Sequence, residues 1–238
     1  MCGIVGYVGV KNASPILIEA LKKLEYRGYD SAGIAVLNND ELLVRKAKGA
    51  LKFLQEKIAK EIIRGSCGIG HTRWATHGEP SDENSHPHTD VSGSIAVVHN
   101  GIIENYSILK QKLQGKGITF KSETDTEVIA HLIAREYGKL KSLPKAVRSA
   151  IKLLKGAYAI CVIHKDEPNM LVVARKRYLC LIFSNDYLLF LINRRKTVVK
   201  IAIRTMFDSK VHIPHSTWMS LRCFVYDTHS SIDHQFHR

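Results

Sequence analysis

The chain has 238 residues, is 45% hydrophobic and carries a formal charge of +13. That length supports one large domain or two small ones with a sizeable core. No apolar run reaches the length of a membrane-spanning helix, and the basic residues are scattered, so neither a membrane protein nor a nucleic-acid binder is expected. The start lacks a basic leader, and five cysteines with no C-x-x-C pair fit reduced thiols better than a disulfide framework, so a cytoplasmic location is expected.

In chain order, Ile4 to Val8 is a short apolar run between glycines and reads as a buried strand. Ser14-Pro15 opens a helix carried by Ile16, Leu17, Ala20, Leu21 and Leu24 at helical spacing. Gly33 to Leu37 and Leu42 to Ala47 read as strands around the turn Asn38-Asn39-Asp40, and Leu51 to Ile63 as an amphipathic helix. Ser66 to Arg73 and Ser94 to His99 are strand-like, and the polar, proline-bearing segment Glu79 to Ser92 between them reads as a loop. Helices are expected over Asn105 to Gln114, Asp125 to Tyr137 and Leu143 to Leu154, then strands over Ala157 to His164 and Met170 to Ala174. Strands and helices run in pairs, which favours layered sheets flanked by helices over a strictly alternating parallel sheet. No nucleotide-binding glycine motif occurs.

The text changes near residue 177. All 16 glycines lie at or before Gly156, and residues 177–238 contain no Glu. By composition residues 1–176 are expected to form one domain and residues 177–238 a tail of a different kind.

Five segments can carry chemistry. Removal of Met1 would make Cys2 the first residue, its thiol beside its own α-amine, whose unperturbed pKa of about 7.7–8.0 leaves a useful free-base fraction at neutral pH. A nucleophile activated by an N-terminal amine is an established route to covalent catalysis. Arg27 and Asp30 sit in a glycine-flanked passage from helix to strand, where a capped turn accounts for Asp30 but does not require Arg27. Arg73, at the end of a strand, can clamp a carboxylate bidentately. His71, His77, His86, His88 and His99 lie near one another in sequence, but their spacing fits no zinc motif; no metal is expected, and hydrogen bonding in loops is the favoured role. Asn100-Gly101 offers a side-chain amide and a backbone N–H, the hardware of an oxyanion hole, or else a plain Asn-Gly turn. Within Ser122 to Glu127, Thr124 or Asp125 can cap a helix, and Asp125 can instead hold an ammonium group. A thiol, a carboxylate clamp, an ammonium clamp and an oxyanion hole together describe a site for an α-amino acid with a side-chain carbonyl; free glutamine fits.

The segments Cys2 to Gly6, Leu24 to Ala35, His71 to Pro80, His99 to Asn105 and Ser122 to Leu132 resemble, in order, the N-terminal glutaminase domain of the glucosamine-6-phosphate synthase family, a class II glutamine amidotransferase. The resemblance covers about residues 1–176; residues 177–238 are unmatched by it and are expected to stem from a shifted reading frame or unrelated sequence. It implies an α+β fold, the four-layer α-β-β-α sandwich of N-terminal-nucleophile hydrolases. It implies that Cys2 forms a γ-glutamyl thioester with its α-amine as base, and that Asn100 and the Gly101 N–H form the oxyanion hole. It further implies that Arg73 binds the α-carboxylate of L-glutamine and Asp125 its α-ammonium, that Trp74, Thr76 and His77 shape the pocket and its loop, and that Arg27 supports the nucleophile. No cofactor is implied. Fructose 6-phosphate would enter only through an isomerase part absent from these residues, and the intact family enzyme is expected to form a homodimer. The alternative left open is an inactive fragment.

Overall fold

The computed structural model describes residues 2–39, 41–61, 63–74, 77–176, 181–184, 187–190, 197–203 and 221–227. The chain enters β1 (Gly3–Val8), α1 (Ala13–Lys22), a 3-10 turn over Glu25–Arg27, the hairpin β2 (Ser31–Asn38) and β3 (Glu41–Lys48), α2 (Leu51–Ala59) and β4 (Cys67–Arg73). It continues through β5 (His88–Thr89), β6 (Ile95–Ile103), α3 (Tyr106–Gln114), α4 (Glu127–Leu140), α5 (Leu143–Ile151), β7 (Gly156–His164) and β8 (Met170–Lys176). Beyond residue 176 the described backbone forms β9 (Leu181–Ser184), β10 (Tyr187–Phe190), β11 (Thr197–Ile203) and β12 (Leu221–Asp227).

Two antiparallel sheets result. One has the order β1-β4-β2-β3, the other β12-β11-β8-β7-β6-β5, and β9 and β10 form a separate ribbon. Side chains alternate between strand faces, and here both faces are buried. Ile4 and Val8 of β1, Ala35 and Leu37 of β2, and Cys67 and Ile69 of β4 point between the sheets, where they meet Ala96, Val98, Ala159, Cys161, Ile163, Leu171 and Val173. The intervening residues face outward. Val5, Tyr7, Ile34 and Val36 pack on Leu17 and Leu21 of α1 and Leu51 and Leu54 of α2. On the other side Ile95, Val97, Tyr158, Ile160, Val162 and Val172 pack on α3, α4 and α5 through residues such as Leu109, Ile129, Ile133 and Val147. The layers are thus α-β-β-α, the sandwich expected. Each large aliphatic side chain so buried contributes about 1.5–3 kcal/mol relative to exposure.

Four local expectations differ. Helix α2 ends at Ala59, not Ile63; Glu61 is drawn to Arg45 on β3, and the chain then delivers Ile63 to the core beside α1 and α2. The loop before β6 contains β5, because His88 and Thr89 pair with Val97 and Ala96. Strand β6 does not turn at Asn100-Gly101 but runs on to Ile103, paired throughout with β7. Helix α4 starts at Glu127 after Thr126, with no side-chain cap; neither Thr124 nor Asp125 caps it, because both side chains are engaged elsewhere.

The expected boundary at residue 177 falls outside the described residues. Strand β11 nevertheless pairs with β8 from Thr197↔Arg175 to Ala202↔Met170, so the edge of β8 is covered.

Gly33 of β2 has a particular duty. A Cβ placed there would lie 2.2 Å from the His86 carbonyl oxygen and 2.9 Å from that of Arg45. The absent side chain lets the backbone at His86 lie against the sheet. Gly33→Ala is expected to lower stability by about 1–3 kcal/mol through this backbone clash. Chemical denaturation measures it, and an unchanged midpoint would contradict the close approach.

Candidate active site

Strand pairing sets the site. Gly3 of β1 faces Thr72 of β4, which brings Cys2, just before β1, to the end of β4 at Arg73 and Trp74. The Trp74 backbone N–H donates to Cys2 Sγ at 3.1 Å, and Sγ lies 3.5 Å from the Trp74 carbonyl oxygen. Burial pushes the Cys2 thiol up from its ordinary pKa, while the Trp74 N–H pulls it down. The Trp74 ring is 49% exposed and lies edge-on to Tyr29, with centroids 5.4 Å apart.

The second sheet meets the first at this point. Asn100, in β6, donates from Nδ2 to the Cys2 carbonyl oxygen at 3.0 Å, across 98 residues of sequence. Its Oδ1 lies 2.9 Å from His71 Nε2 on β4. Gly101 follows with φ +116°, and a Cβ there would stand 2.1 Å from the Ala157 carbonyl oxygen. Only glycine fits this backbone conformation and this space.

Arg73 is buried at 4% exposure. One guanidinium nitrogen, Nη2, donates to the carbonyl oxygens of His77 and, at 3.0 Å, Gly78. The other, Nη1, is buried without a partner. Burial lowers the Arg73 pKa, and Asp30, Cys2 and Asp125 act against it. These three groups therefore share one electrostatic neighbourhood with the guanidinium.

Asp125 accepts the Ile103 backbone N–H on Oδ2 at 2.8 Å, which fixes the carboxylate to the end of β6. Its Oδ1 lies 3.8 Å from His99 Nδ1, and Nδ1 is itself 2.8 Å from Thr126 Oγ1. The segment carrying Asp125 is shaped by Glu127. Its Oε1 accepts the Lys121 N–H at 2.8 Å; its Oε2 accepts the Ser122 N–H at 2.7 Å and the Ser122 hydroxyl at 2.6 Å.

The structure thus brings Cys2, Arg73, Trp74, Asn100, Gly101 and Asp125 to one end of the two sheets. His77 contributes its carbonyl to Arg73, while its ring sits edge-on to Tyr106 at 5.5 Å. Thr76 lies outside the described residues, as does the side chain of Arg27, whose backbone is in the 3-10 turn. Sequence reasoning assigned Asp30 to a turn and did not connect it to Arg73. It also missed a buried polar chain behind Asn100. His71 stacks on His86 with centroids 4.1 Å apart, His86 meets His88 edge-on at 4.8 Å, and His88 Nε2 lies 3.1 Å from Thr124 Oγ1. Thr124 Oγ1 is 3.0 Å from Ser122 Oγ, which leads to Glu127 and His131. The density of histidines between residues 71 and 99 was the available signal. Among the described residues no cluster of three or more His, Cys, Asp or Glu is arranged to hold a metal ion, and no helix is long and apolar enough to cross a membrane.

Comparison with known proteins gives three findings. A family model described as a glutamine amidotransferase domain matches residues 71–184. The chain is 58% identical over 176 residues to a glutamine–fructose-6-phosphate aminotransferase [isomerizing] of Caldanaerobacter subterraneus, and 56% identical over 172 residues to one of Aquifex aeolicus. These matches take in 74% and 72% of the chain but only 29% of each relative. Among solved structures, a glutamine phosphoribosylpyrophosphate amidotransferase from B. subtilis superposes with a TM-score of 0.68 at 27% identity, over 84% of this chain and 46% of that one.

Glu127 yields a pH prediction. Burial alone would raise its pKa, but hydrogen bonds from His131, Ser122 and the backbone N–H groups of Lys121 and Ser122 outweigh it and hold the carboxyl at about 2. A depressed folded-state pKa contributes stability above the unfolded value of about 4.3, lost as pH falls toward the folded value. Glu127→Gln is therefore expected to flatten the loss of stability between about pH 4.3 and 2. Denaturant midpoints measured across that range check it; a wild-type slope in the variant would refute the assignment.

Proposed function

The chain carries a glutamine amidotransferase domain, and we propose that it hydrolyses L-glutamine to glutamate and ammonia through a γ-glutamyl thioester on Cys2. The observation that carries this reading is the contact of Asn100 Nδ2 with the Cys2 carbonyl oxygen at 3.0 Å. It sets an amide donor from one sheet against the backbone of the thiol-bearing residue that leads into the other.

In this mechanism, removal of Met1 leaves Cys2 with a free α-amine. The amine takes the thiol proton, and the thiolate attacks the side-chain carbonyl carbon of glutamine. The carbonyl oxygen becomes an oxyanion held by the second N–H of Asn100 Nδ2 and by the Gly101 N–H. The intermediate collapses with transfer of the proton to the departing nitrogen, releasing ammonia and leaving the thioester. Water activated by the same amine then attacks the thioester, and glutamate leaves with the thiol restored.

Arg73 Nη1, buried and unpartnered, donates to the α-carboxylate, and the Asp125 Oδ1 edge accepts the α-ammonium. Such charge-assisted bonds are strong in a dry site. Trp74, beside the thiol and half-exposed, covers the bound side chain together with the loop through Thr76 and His77; Arg27 supports the nucleophile end. Residues 1–176 hold every group in this mechanism. The thiols of Cys2, Cys67 and Cys161 suit a reducing cytoplasm.

The chain spans 29% of the length of the aminotransferases it matches. Delivery of the ammonia to fructose 6-phosphate is part of the same proposal and requires groups supplied from beyond the matched portion.

Glutamate release from glutamine tests the reading. Cys2→Ala is expected to abolish release, and Asn100→Ala to lower kcat about 100- to 1,000-fold. Arg73→Lys is expected to act mainly on KM, because the planar fork is lost. Release that survives Cys2→Ala would sink the proposal.

A further inference from the structure

We propose that His71 is a positioning residue for the glutaminase reaction: its Nε2–H donates to Asn100 Oδ1 and thereby turns the Asn100 amide nitrogen toward Cys2. The role in turnover rests on the glutaminase reading above; the orientation of the amide does not.

The geometry leaves one consistent arrangement of protons. His71 Nε2 lies 3.1 Å from the His99 carbonyl oxygen and 2.9 Å from Asn100 Oδ1. A backbone carbonyl only accepts, so Nε2 carries a hydrogen. The Asn100 atom facing that hydrogen must be the oxygen. At the other end, the Cys2 carbonyl also only accepts, so the Asn100 atom 3.0 Å from it must be the nitrogen. A flipped amide would set oxygen against oxygen at Cys2 and NH2 against N–H at His71. Each end disfavours it, and the two contacts together hold the amide in one orientation.

The imidazole is held in this state from both sides. His71 Nδ1 is buried with no partner, so a proton there would have no acceptor. Burial pushes the His71 pKa down to about 3, so the ring is neutral at physiological pH. His86 lies parallel to the ring at 15° and 4.1 Å. His86 is fixed in turn, because its Nδ1 accepts the His99 backbone N–H at 3.2 Å. The fold makes room for this stack: His71 pairs across the sheet with Gly33, whose missing Cβ admits the His86 backbone. Nothing in the proposed chemistry requires a proton from His71. Its contribution is orientation, and an unrestrained Asn100 would present its oxygen to the oxyanion part of the time.

The full-length chain tests this with two variants. His71→Leu removes the donor; His71→Gln restores an N–H near the position of Nε2. In the glutaminase assay His71→Leu is expected to lower kcat about 100-fold with KM for glutamine within about threefold, and His71→Gln to recover at least about tenfold of that loss. Side-chain amide resonances of Asn100, assigned by its loss in Asn100→Asp, give a readout independent of turnover. Two resolved, exchange-protected amide protons are expected in wild type and His71→Gln, and loss of that protection in folded His71→Leu. Equal protection in His71→Leu overturns the proposal, as does a His71→Gln variant as slow as His71→Leu. If the wild type releases no glutamate, the glutaminase reading fails while the amide resonances still decide the orientation.

Discussion

Everything at the site depends on how closely and in what register two sheets meet. Cys2 leads into one sheet and Asn100 lies in the other, and a hydrogen bond joins the two residues. The layer between the sheets is filled largely by modest side chains, among them Ala35, Cys67, Ala96, Val98, Ala159, Cys161 and Val173. Small side chains at facing positions allow close approach, and close packing resists slippage, because a one-residue shift of a strand exchanges its two faces. A shift in β6 would replace Ala96 and Val98 by Ile95 and Val97 in this layer and would carry Asn100 away from Cys2. The apolar layer thus fixes the polar contact.

Burial of the polar groups behind Asn100 follows the same logic at higher cost. Four imidazoles, His71, His86, His88 and His99, lie in the interior. Desolvation lowers the pKa of all four, and among His71, His86 and His88 mutual repulsion would add to the cost of charging any one. A neutral imidazole keeps one donor and one acceptor, which suits a chain of directed hydrogen bonds. Glu127 is the opposite case. It stays charged because hydrogen bonds from Ser122, Lys121 and His131 surround it, and that charge organises the turn that presents Asp125. With the histidines neutral and the Glu127 carboxylate satisfied, the positive charges that act on the thiol are the N-terminal amine and, more weakly, Arg73.

Much of this was legible in the sequence, and the exceptions have physical causes. The elements of residues 1–176 are readable because apolar runs and glycine-marked breaks are clear. Which face of a strand looks inward is not, because β1, β2, β6, β7 and β8 are buried on both faces and show continuous apolar text instead of alternation. Asn100-Gly101 looks like a hairpin turn by composition, yet β6 continues through it, since β7 supplies pairing partners from Ala159 to Gly156 that local propensity does not contain. Asp125 looks like a helix cap for the same reason: the Ile103 N–H that claims it comes from a distant strand. The histidine chain was visible only as crowding, because its members are joined through stacking and through β4 and β6, not through sequence spacing.

The unpartnered donor on Arg73 bears on why such a site is stable at all. A buried polar atom without a partner costs about 1–3 kcal/mol, and Nη1 sits unpaired beside a guanidinium nitrogen that is doubly satisfied. The fold tolerates this because Nη2 is anchored on the His77 and Gly78 carbonyls, so the unpaired edge cannot rotate away to find a partner of its own. In the glutaminase reading the anchoring converts a folding cost into selectivity. A ligand that places a carboxylate against Nη1 recovers the missing bonds, whereas an amine or amide without one leaves the donor unpaired and gains nothing. The same carbonyls belong to His77 and Gly78, so the guanidinium that would meet the ligand also holds the chain that follows Trp74.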